Sequence, residues 1–320
     1  MAGFAVLFPG QGTQKTGMGA SLYEHSSAAR QVFDGAEAVF PGIRALCFTG
    51  EQERLNETLH AQSAVVTVEL AAFAALREKG LVPSAGAGFS LGEYAALCAN
   101  GRLTLTDCLQ LVKRRSHWMQ EQCVKHPGGM AAVLGKSQEE LSAVLEEIDT
   151  KGGLLQPVNF NCPGQIVVAG DSVSLQKLLD YCKQHKIRCV KLAVSGAFHS
   201  SYMRPAADKI AAYISELILY PFQFPLYANV SAGIYTQENF MDWLPRQTYS
   251  PVLFDKTIRN MIKDGYTTFV EVGPGTTLGA LVRRIDKNAV VYSVSDAQSL
   301  EQCVDDLNRD TLSDGGKGDK

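Results

Sequence analysis

The chain has 320 residues, of which 46% are hydrophobic and 20% are charged, a composition typical of a globular protein. The length suits one large domain or two unequal ones, and the formal net charge of −3 argues against a strongly basic nucleic-acid-binding surface. The N-terminal sequence MAGFAVLFPGQG lacks the basic start and long apolar core of a signal peptide. We therefore expect a cytoplasmic protein.

Strands and helices are predicted to alternate along most of the chain. Apolar runs and their flanking turns predict strands at 4–8, 86–90 and 268–272, and helices at 64–78, 91–99, 106–123 and 202–217. This alternation is typical of an α/β core with a mainly parallel sheet. The most apolar stretch, 61–76, is interrupted by Gln62 and Glu69 and is too short to span a membrane.

A different order of elements is predicted after residue 123. Strands are predicted at 130–134, 155–161, 165–169 and 189–194, with helices at 137–148 and 173–185. The order βαββαβ is that of the ferredoxin-like arrangement. We predict a small ferredoxin-like subdomain (124–194) inserted in a large domain (1–123 and 195–309), followed by a disordered tail (310–320).

The eight cysteines are scattered and include no C-x-x-C pair. This pattern is typical of reduced core residues, and it favours neither a disulfide framework nor a zinc site. We expect no metal site in this protein.

The sequence GFSLG at 88–92 places Ser90 between two glycines at a predicted strand-to-helix junction. In one interpretation the run Ser90-Leu91-Gly92-Glu93 is a helix-capping box of the form S-x-x-E. In the other it is a nucleophile elbow, G-x-S-x-G, in which the serine lies on a sharp corner at a helix N-terminus. The motif by itself does not decide between them.

Arg115 lies on the apolar side of the predicted helix 106–123. Spacings of three and four residues place it with Leu111, Val112 and Met119. A buried guanidinium requires a partner, because an unpaired buried charge is costly. The partner is either an acidic residue of the fold or the carboxylate of a substrate, which arginine can hold through two parallel contacts.

A serine nucleophile requires a base, and His199 is the best placed of the six histidines. It follows the run AVSGAF, where the chain is predicted to leave the small domain and return to the large one, and such junctions often form clefts. A structural role for this histidine stays open. The other histidines are predicted to lie in polar surroundings or to point away from the site: His25, His60, His117, His126 and His185.

Several segments together resemble the malonyl-CoA:acyl carrier protein transacylases and the related acyltransferases of polyketide and fatty acid synthases. The segments occur in the family's order and cover nearly the whole chain. They are FPGQGTQKTGMG (8–19), QSAVVTVEL (62–70), GFSLGEYAAL (88–97), LVKRRSHWMQ (111–120), VNFNCPGQIVVAG (158–170), VSGAFHSSYM (194–203), ANVSA (228–232), QTYSPV (247–252) and EVGPGTTLGALVRRI (271–285).

The resemblance implies an α/β-hydrolase-like core and a role for each matching residue. Ser90 matches the family's nucleophile, His199 its base, and Gln11 and Leu91 the donors of the oxyanion-hole N–H groups. Arg115 matches the arginine that binds the malonyl carboxylate.

Further positions match residues around this catalytic group. Gln247 matches the residue whose backbone carbonyl orients the histidine, and Gln62, Asn161 and Gln165 match polar residues of the cleft. Phe198, directly before the histidine, resembles the pattern of acyltransferases that select malonyl over methylmalonyl groups.

The resemblance also implies the partners. Malonyl-CoA would be the acyl donor and the phosphopantetheine thiol of an acyl carrier protein the acceptor. We expect no bound cofactor, no nucleic-acid or membrane partner, and a monomer.

Two positions depart from the family pattern: Phe89 stands where histidine is usual, and Ser116 where glycine is usual. A thioesterase or hydrolase of the α/β-hydrolase type is the alternative function, although that class has the order Ser…Asp…His. A non-catalytic docking subunit is a second alternative, and the joint presence of the serine, histidine and arginine argues against it.

Overall fold

The structure is a computed structural model that describes residues 3–315. Its strands are β1 (Ala5–Phe8), β2 (Ala85–Gly88), β3 (Gly128–Leu134), β4 (Leu155–Cys162), β5 (Gln165–Asp171), β6 (Cys189–Lys191), β7 (Leu226–Tyr227), β8 (Thr268–Val272) and β9 (Val290–Val294).

The α-helices follow the same numbering in chain order. They are α1 (Ala20–His25), α2 (Ser27–Val39), α3 (Ile43–Thr49), α4 (Gln52–Asn56), α5 (Thr58–Glu78), α6 (Gly92–Ala99), α7 (Leu105–Lys125), α8 (Gln138–Glu147), α9 (Ser172–Gln184), α10 (Arg204–Ile214), α11 (Gln237–Gln247), α12 (Phe254–Lys263), α13 (Thr277–Ile285) and α14 (Ala297–Gly315).

The larger sheet has five parallel strands in the order β7-β2-β1-β8-β9, which confirms the predicted parallel sheet. The short sequences AVLF of β1 and AGAG of β2 are buried throughout, as expected for strands covered on both faces. Strands β1 and β2 lie side by side, so the loops that follow them meet at one edge. In open parallel sheets this carboxyl edge is where ligands bind.

The apolar stretch 61–76 lies within α5, a helix that packs inside the core. By length and composition alone α5 could cross a membrane, but most of it is buried within the protein. Glu69 in this helix is fully buried, and burial, with the nearby Glu271 carboxyl, raises the pKa of its carboxyl well above the usual value.

The smaller sheet is antiparallel, with the order β4-β5-β3-β6. Helices α8 and α9 contribute Leu141, Leu175 and Leu178 to the apolar layer that covers one face. Helix α8 begins with the predicted capping box, in which the Ser137 and Glu140 side chains each accept from the other residue's backbone N–H.

One predicted boundary was wrong. Strand β6 ends at Lys191, three residues before the predicted end of this strand. Helix α14 runs through Gly315 and so enters the segment 310–320, for which a disordered tail is predicted. Leu300 and Cys303 on its buried face anchor this helix to the core, and the rest of the predicted tail, 316–320, lies outside the described residues.

Candidate active site

Ser90 lies on a sharp corner between β2 and α6. Its φ is +53°, in the left-handed region that residues with a Cβ rarely adopt. A Cβ at Gly88 would lie 2.1 Å from the backbone N of Glu93, and one at Gly92 would lie 2.1 Å from the carbonyl O of Phe8. Both glycines are therefore required by close backbone approach, which is the geometry of a nucleophile elbow.

The capping-box interpretation of Ser90 does not describe this corner. The N-cap of α6 is Leu91, and no side chain caps the helix. The Glu93 carboxylate turns inward and accepts hydrogen bonds from Asn229 N at 3.0 Å and Tyr235 Oη at 2.7 Å. The serine side chain is thus left free for another partner.

That partner is His199, whose Nε2 lies 2.6 Å from Ser90 Oγ. The other ring nitrogen, Nδ1, lies 2.8 Å from the backbone carbonyl O of Gln247. A carbonyl oxygen can only accept, so Nδ1 carries the proton and Nε2 presents its lone pair to the serine. The histidine is 2% exposed, and a backbone carbonyl takes the position that an acidic residue has in a Ser-His-Asp triad.

The surroundings of His199 keep its ring neutral. Burial, and secondarily the positive charge of Arg115, lower the pKa of His199 from 6.5 to about 4. The hydrogen bond to Gln247 O opposes this shift but does not overcome it. A neutral imidazole is the form that can accept the serine proton.

We expect the acylation rate to stay nearly constant as the pH falls from 7 to 5, and to decline as the pH approaches about 4. A lowered pKa means that the basic form persists to more acidic pH. The measurement is the second-order rate constant for acylation of Ser90 as a function of pH, with tryptophan fluorescence as the control for folding. A half-loss of rate near pH 6.5 would show that the base is an unperturbed histidine.

Arg115 lies on the buried face of α7 and is 1% exposed. Its Nη1 donates to Gln62 Oε1 at 2.6 Å, and the guanidinium lies 4.9 Å from the centre of the Tyr94 ring. Among residues 3–309, whose side chains the structure describes, it has no acidic partner within 4.0 Å, and its Nε and Nη2 have no hydrogen-bond partner. A buried cation with two unused donors is a site for an anion.

A cavity of about 70 Å³, the nucleophile cavity, opens beside the elbow. It is lined by six of the residues predicted for the site: Gln11, Ser90, Leu91, Arg115, Phe198 and His199. In the part of the chain that the structure describes, the backbone N–H groups of Gln11 and Leu91 donate no hydrogen bond. They are free to bind an oxyanion.

A second cavity of about 200 Å³, the side cavity, adjoins the first and shares Gln11 and Phe89 with it. Asn161 and Gln165 line the side cavity, so the structure brings them near the predicted site but not to Ser90. The Gln165 side-chain oxygen accepts from Nη1 of Arg284 at 2.7 Å.

The structure places Gln62 behind Arg115, whereas the resemblance matches it to a polar residue of the cleft. This residue is fully buried behind Arg115 and lines neither cavity. Its side-chain oxygen accepts from the guanidinium, while its nitrogen lies 3.5 Å from Gln11 Oε1. Gln62 therefore orients the arginine and does not face the cavity itself.

Both departures from the family pattern lie close to the site. The Phe89 ring packs against Phe254 at 5.4 Å between centres and lines both cavities, so an apolar surface replaces a polar side chain there. Ser116 is buried, and its hydroxyl donates to the backbone O of Lys113 within α7. The serine is accommodated without turning Arg115 away.

Sequence reasoning missed Asn229 and the inward role of Glu93. Asn229 lies in the segment ANVSA, which was noted for its resemblance but given no function. Its side chain contacts the elbow from a position 139 residues away in the chain. The available signals were a polar residue after a short buried strand, and a glutamate inside the apolar face of α6.

The fold and this site define a class: an acyl-transfer protein with a serine nucleophile. A strained elbow serine, a neutral histidine within hydrogen-bond distance and two free N–H groups are the parts that class requires.

Comparisons with known proteins identify the family. The sequence-family model described as the acyl transferase domain matches residues 6–312. A malonyl CoA-acyl carrier protein transacylase of Bacillus subtilis (strain 168) is 38% identical over 313 residues, which cover 97% of this chain and 99% of that protein. The chain therefore belongs to the acyl transferase domain family.

Solved structures agree with this assignment. The malonyl CoA-acyl carrier protein transacylase of Clostridium perfringens has a TM-score of 0.92 at 34% identity, with 98% of this chain and all of that chain covered. A malonyl-transacylase solved in complex with its type II PKS acyl-carrier protein has a TM-score of 0.91 at 35% identity, covering 95% of this chain and 99% of that chain.

Proposed function

We propose that this protein transfers a malonyl group from malonyl-CoA to the phosphopantetheine thiol of an acyl carrier protein, for fatty acid or polyketide synthesis. One observation carries the choice of acyl group: Arg115 lies in the same cavity as Ser90, and two of its guanidinium nitrogens have no partner among the described side chains. An acyl group with a free carboxylate supplies the missing partner. The similarity to named malonyl transacylases supports the same substrate.

The first half-reaction forms a malonyl ester on Ser90. His199 Nε2 takes the hydroxyl proton as Oγ attacks the thioester carbonyl carbon. The negative charge that develops on the carbonyl oxygen is held by the N–H groups of Gln11 and Leu91, and one such donor contributes roughly 3–4 kcal/mol. The carbon–sulfur bond then breaks, and the coenzyme A thiolate receives the proton from His199.

The second half-reaction reverses these roles. His199 takes a proton from the carrier thiol, and the sulfur attacks the Ser90 ester. When the ester bond breaks, Oγ recovers its proton from His199 and the malonyl thioester leaves with the carrier. Arg115 holds the carboxylate in both steps, and the side cavity provides space for the pantetheine arm beside the ester.

This proposal is tested by comparing transfer with hydrolysis. With malonyl-CoA and a phosphopantetheinylated carrier protein, malonyl-carrier formation should be much faster than release of free malonate without the carrier. Faster hydrolysis than transfer would support the thioesterase alternative. Against that alternative, the partner of His199 Nδ1 is a backbone carbonyl, and the α/β-hydrolase order Ser…Asp…His is not followed.

We expect Phe198→Ser to narrow the preference for malonyl-CoA over methylmalonyl-CoA, mainly by admitting methylmalonyl groups. Phe198 lines the cavity beside Ser90 and Arg115, which fix the two ends of the malonyl group. A methyl branch on the central carbon would meet the ring, and one methyl group is worth about 1–3 kcal/mol, or roughly 10–200-fold. The measurement is competition between the two acyl-CoAs at equal concentration.

The melting temperature controls for loss of packing around Phe198, since this side chain is also part of an apolar cluster. An unchanged preference in a well-folded variant would mean that another residue selects the acyl group.

We also propose that the protein consists of a large domain with a smaller, ferredoxin-like subdomain inserted in it. The order β4-β5-β3-β6, with its antiparallel pairs and βαββαβ connections, supports a ferredoxin-like subdomain at 124–194 inserted between 1–123 and 195–309. In the larger sheet, the order β7-β2-β1-β8-β9 places the first strand at the centre, which is the arrangement of doubly wound sheets. The proposed likeness to α/β-hydrolases is therefore supported by the elbow at Ser90 and not by the strand order. We also propose a cytoplasmic monomer without a bound cofactor and without nucleic-acid or membrane partners.

A further inference from the structure

The elbow is held from one side by the side chain of Asn229. Its Oδ1 accepts from Ser90 N at 2.6 Å, and its Nδ2 donates to Gly88 O at 2.5 Å. Asn229 is buried, and its own backbone N–H donates to the Glu93 carboxylate. One amide thus fixes the peptide groups on both sides of Phe89.

The other side of the elbow is held by the side chain of Gln247. Its Nε2 donates to Ser90 O at 2.5 Å, and this oxygen also accepts from Glu93 N at 3.3 Å. The residue is fully buried. Its backbone carbonyl accepts from His199 Nδ1. The main chain of Gln247 therefore orients the histidine, while its side chain holds the carbonyl group of Ser90.

The carbonyl group that Gln247 holds belongs to the same peptide group as the Leu91 N–H, and Leu91 lines the nucleophile cavity. In a planar trans peptide the C=O and the N–H point in opposite directions. Holding Ser90 O therefore fixes the direction of the Leu91 N–H. In the described part of the chain this N–H donates to no other group, while the neighbouring backbone donors, Phe89 N and Ser90 N, are paired.

We propose that Gln247 is a positioning residue for oxyanion binding and that it acts through its side-chain amide. By anchoring Ser90 O, it aims the Leu91 N–H at the carbonyl oxygen of the acyl group, and Asn229 prevents the preceding peptide from rotating. The proposal rests on the proposed function only in taking an acyl ester on Ser90 as the species that is stabilised.

The test uses Gln247→Met, which has similar volume, lacks the donor and keeps the backbone carbonyl that holds His199. We expect kcat for transfer to fall about 10- to 100-fold with KM little changed, because a misaimed oxyanion donor weakens the transition state more than substrate binding. We also expect the infrared carbonyl band of a ¹³C-labelled malonyl ester on Ser90 to move to higher wavenumber. The acid limb of the pH profile should stay in place, since the Nδ1 partner remains.

Gln122→Met is the matched control, because it makes the same change at a buried glutamine that lines neither cavity. If Gln247→Met does not fold, Gln247→Leu replaces it, because leucine also lacks a donor and keeps the backbone carbonyl, and the labelled carbonyl band should again lie above that of the wild type. A folded variant with an unshifted band, or a shifted acid limb, would overturn the positioning role. Absence of the labelled ester in the wild type would instead overturn the proposed function.

Discussion

Replacement of Ser90 by alanine is expected to abolish formation of the acyl-enzyme and to leave the fold intact. The Oγ is the atom to which the malonyl group would be bonded, and alanine has no substitute for it. The corner itself should persist, because Ser90 already carries a Cβ at φ +53° and alanine adds no new clash. Intact-mass measurement after incubation with malonyl-CoA should show no adduct.

Ser174→Ala is the matched control for this variant. Ser174 is a buried serine in α9 and lines neither cavity, so its loss should leave the adduct unchanged. A Ser90→Ala protein that still gained a malonyl mass and turned over at near wild-type rate would show that the nucleophile lies elsewhere.

Arg115→Ala is expected to lower activity on malonyl-CoA far more than on acetyl-CoA. The guanidinium contributes only where a carboxylate can pair with it, and loss of a buried charge-assisted pair costs on the order of 2–5 kcal/mol, or roughly 30- to 4,000-fold. Acetyl transfer should fall much less, because an acetyl group has no carboxylate to pair with the guanidinium. The measurement is kcat/KM for both acyl-CoAs.

The neighbouring Arg114 provides the control. Its guanidinium lies over the Tyr213 ring at 4.6 Å, outside both cavities, so Arg114→Ala should affect the two substrates equally and weakly. An equal loss on both substrates in Arg115→Ala would indicate that this arginine is structural.

Short-range sequence patterns were sufficient to locate the parts of the site that depend on local geometry. The glycines around Ser90 indicated a tight corner, and close backbone approach at both is the reason they are there. The spacing of apolar residues in α7 placed Arg115 on the buried side, as found. The helix alone left open whether its partner was an acidic residue, and the absence of such a partner in the described residues required coordinates.

Contacts between distant segments could not be predicted in the same way. Asn229 contacts the elbow from the loop after β7, and the side chain of Gln247 contacts it from the last residue of α11. Such hydrogen bonds leave no periodic pattern in the sequence. The same reason explains the position of Gln62. A pattern matched it to the cleft, but only the packing of α5 against α7 determines that it lies behind Arg115.

The most direct test of the central claim is intact-mass analysis of the wild-type protein mixed with an equimolar set of acyl-CoAs, before and after addition of phosphopantetheinylated carrier protein. We predict a single malonyl adduct, mapped by peptide analysis to Ser90, that disappears on addition of the carrier as the same mass appears on the carrier. A protein that acquired no adduct, or an adduct that decayed to free malonate at the same rate with and without the carrier, would contradict the account.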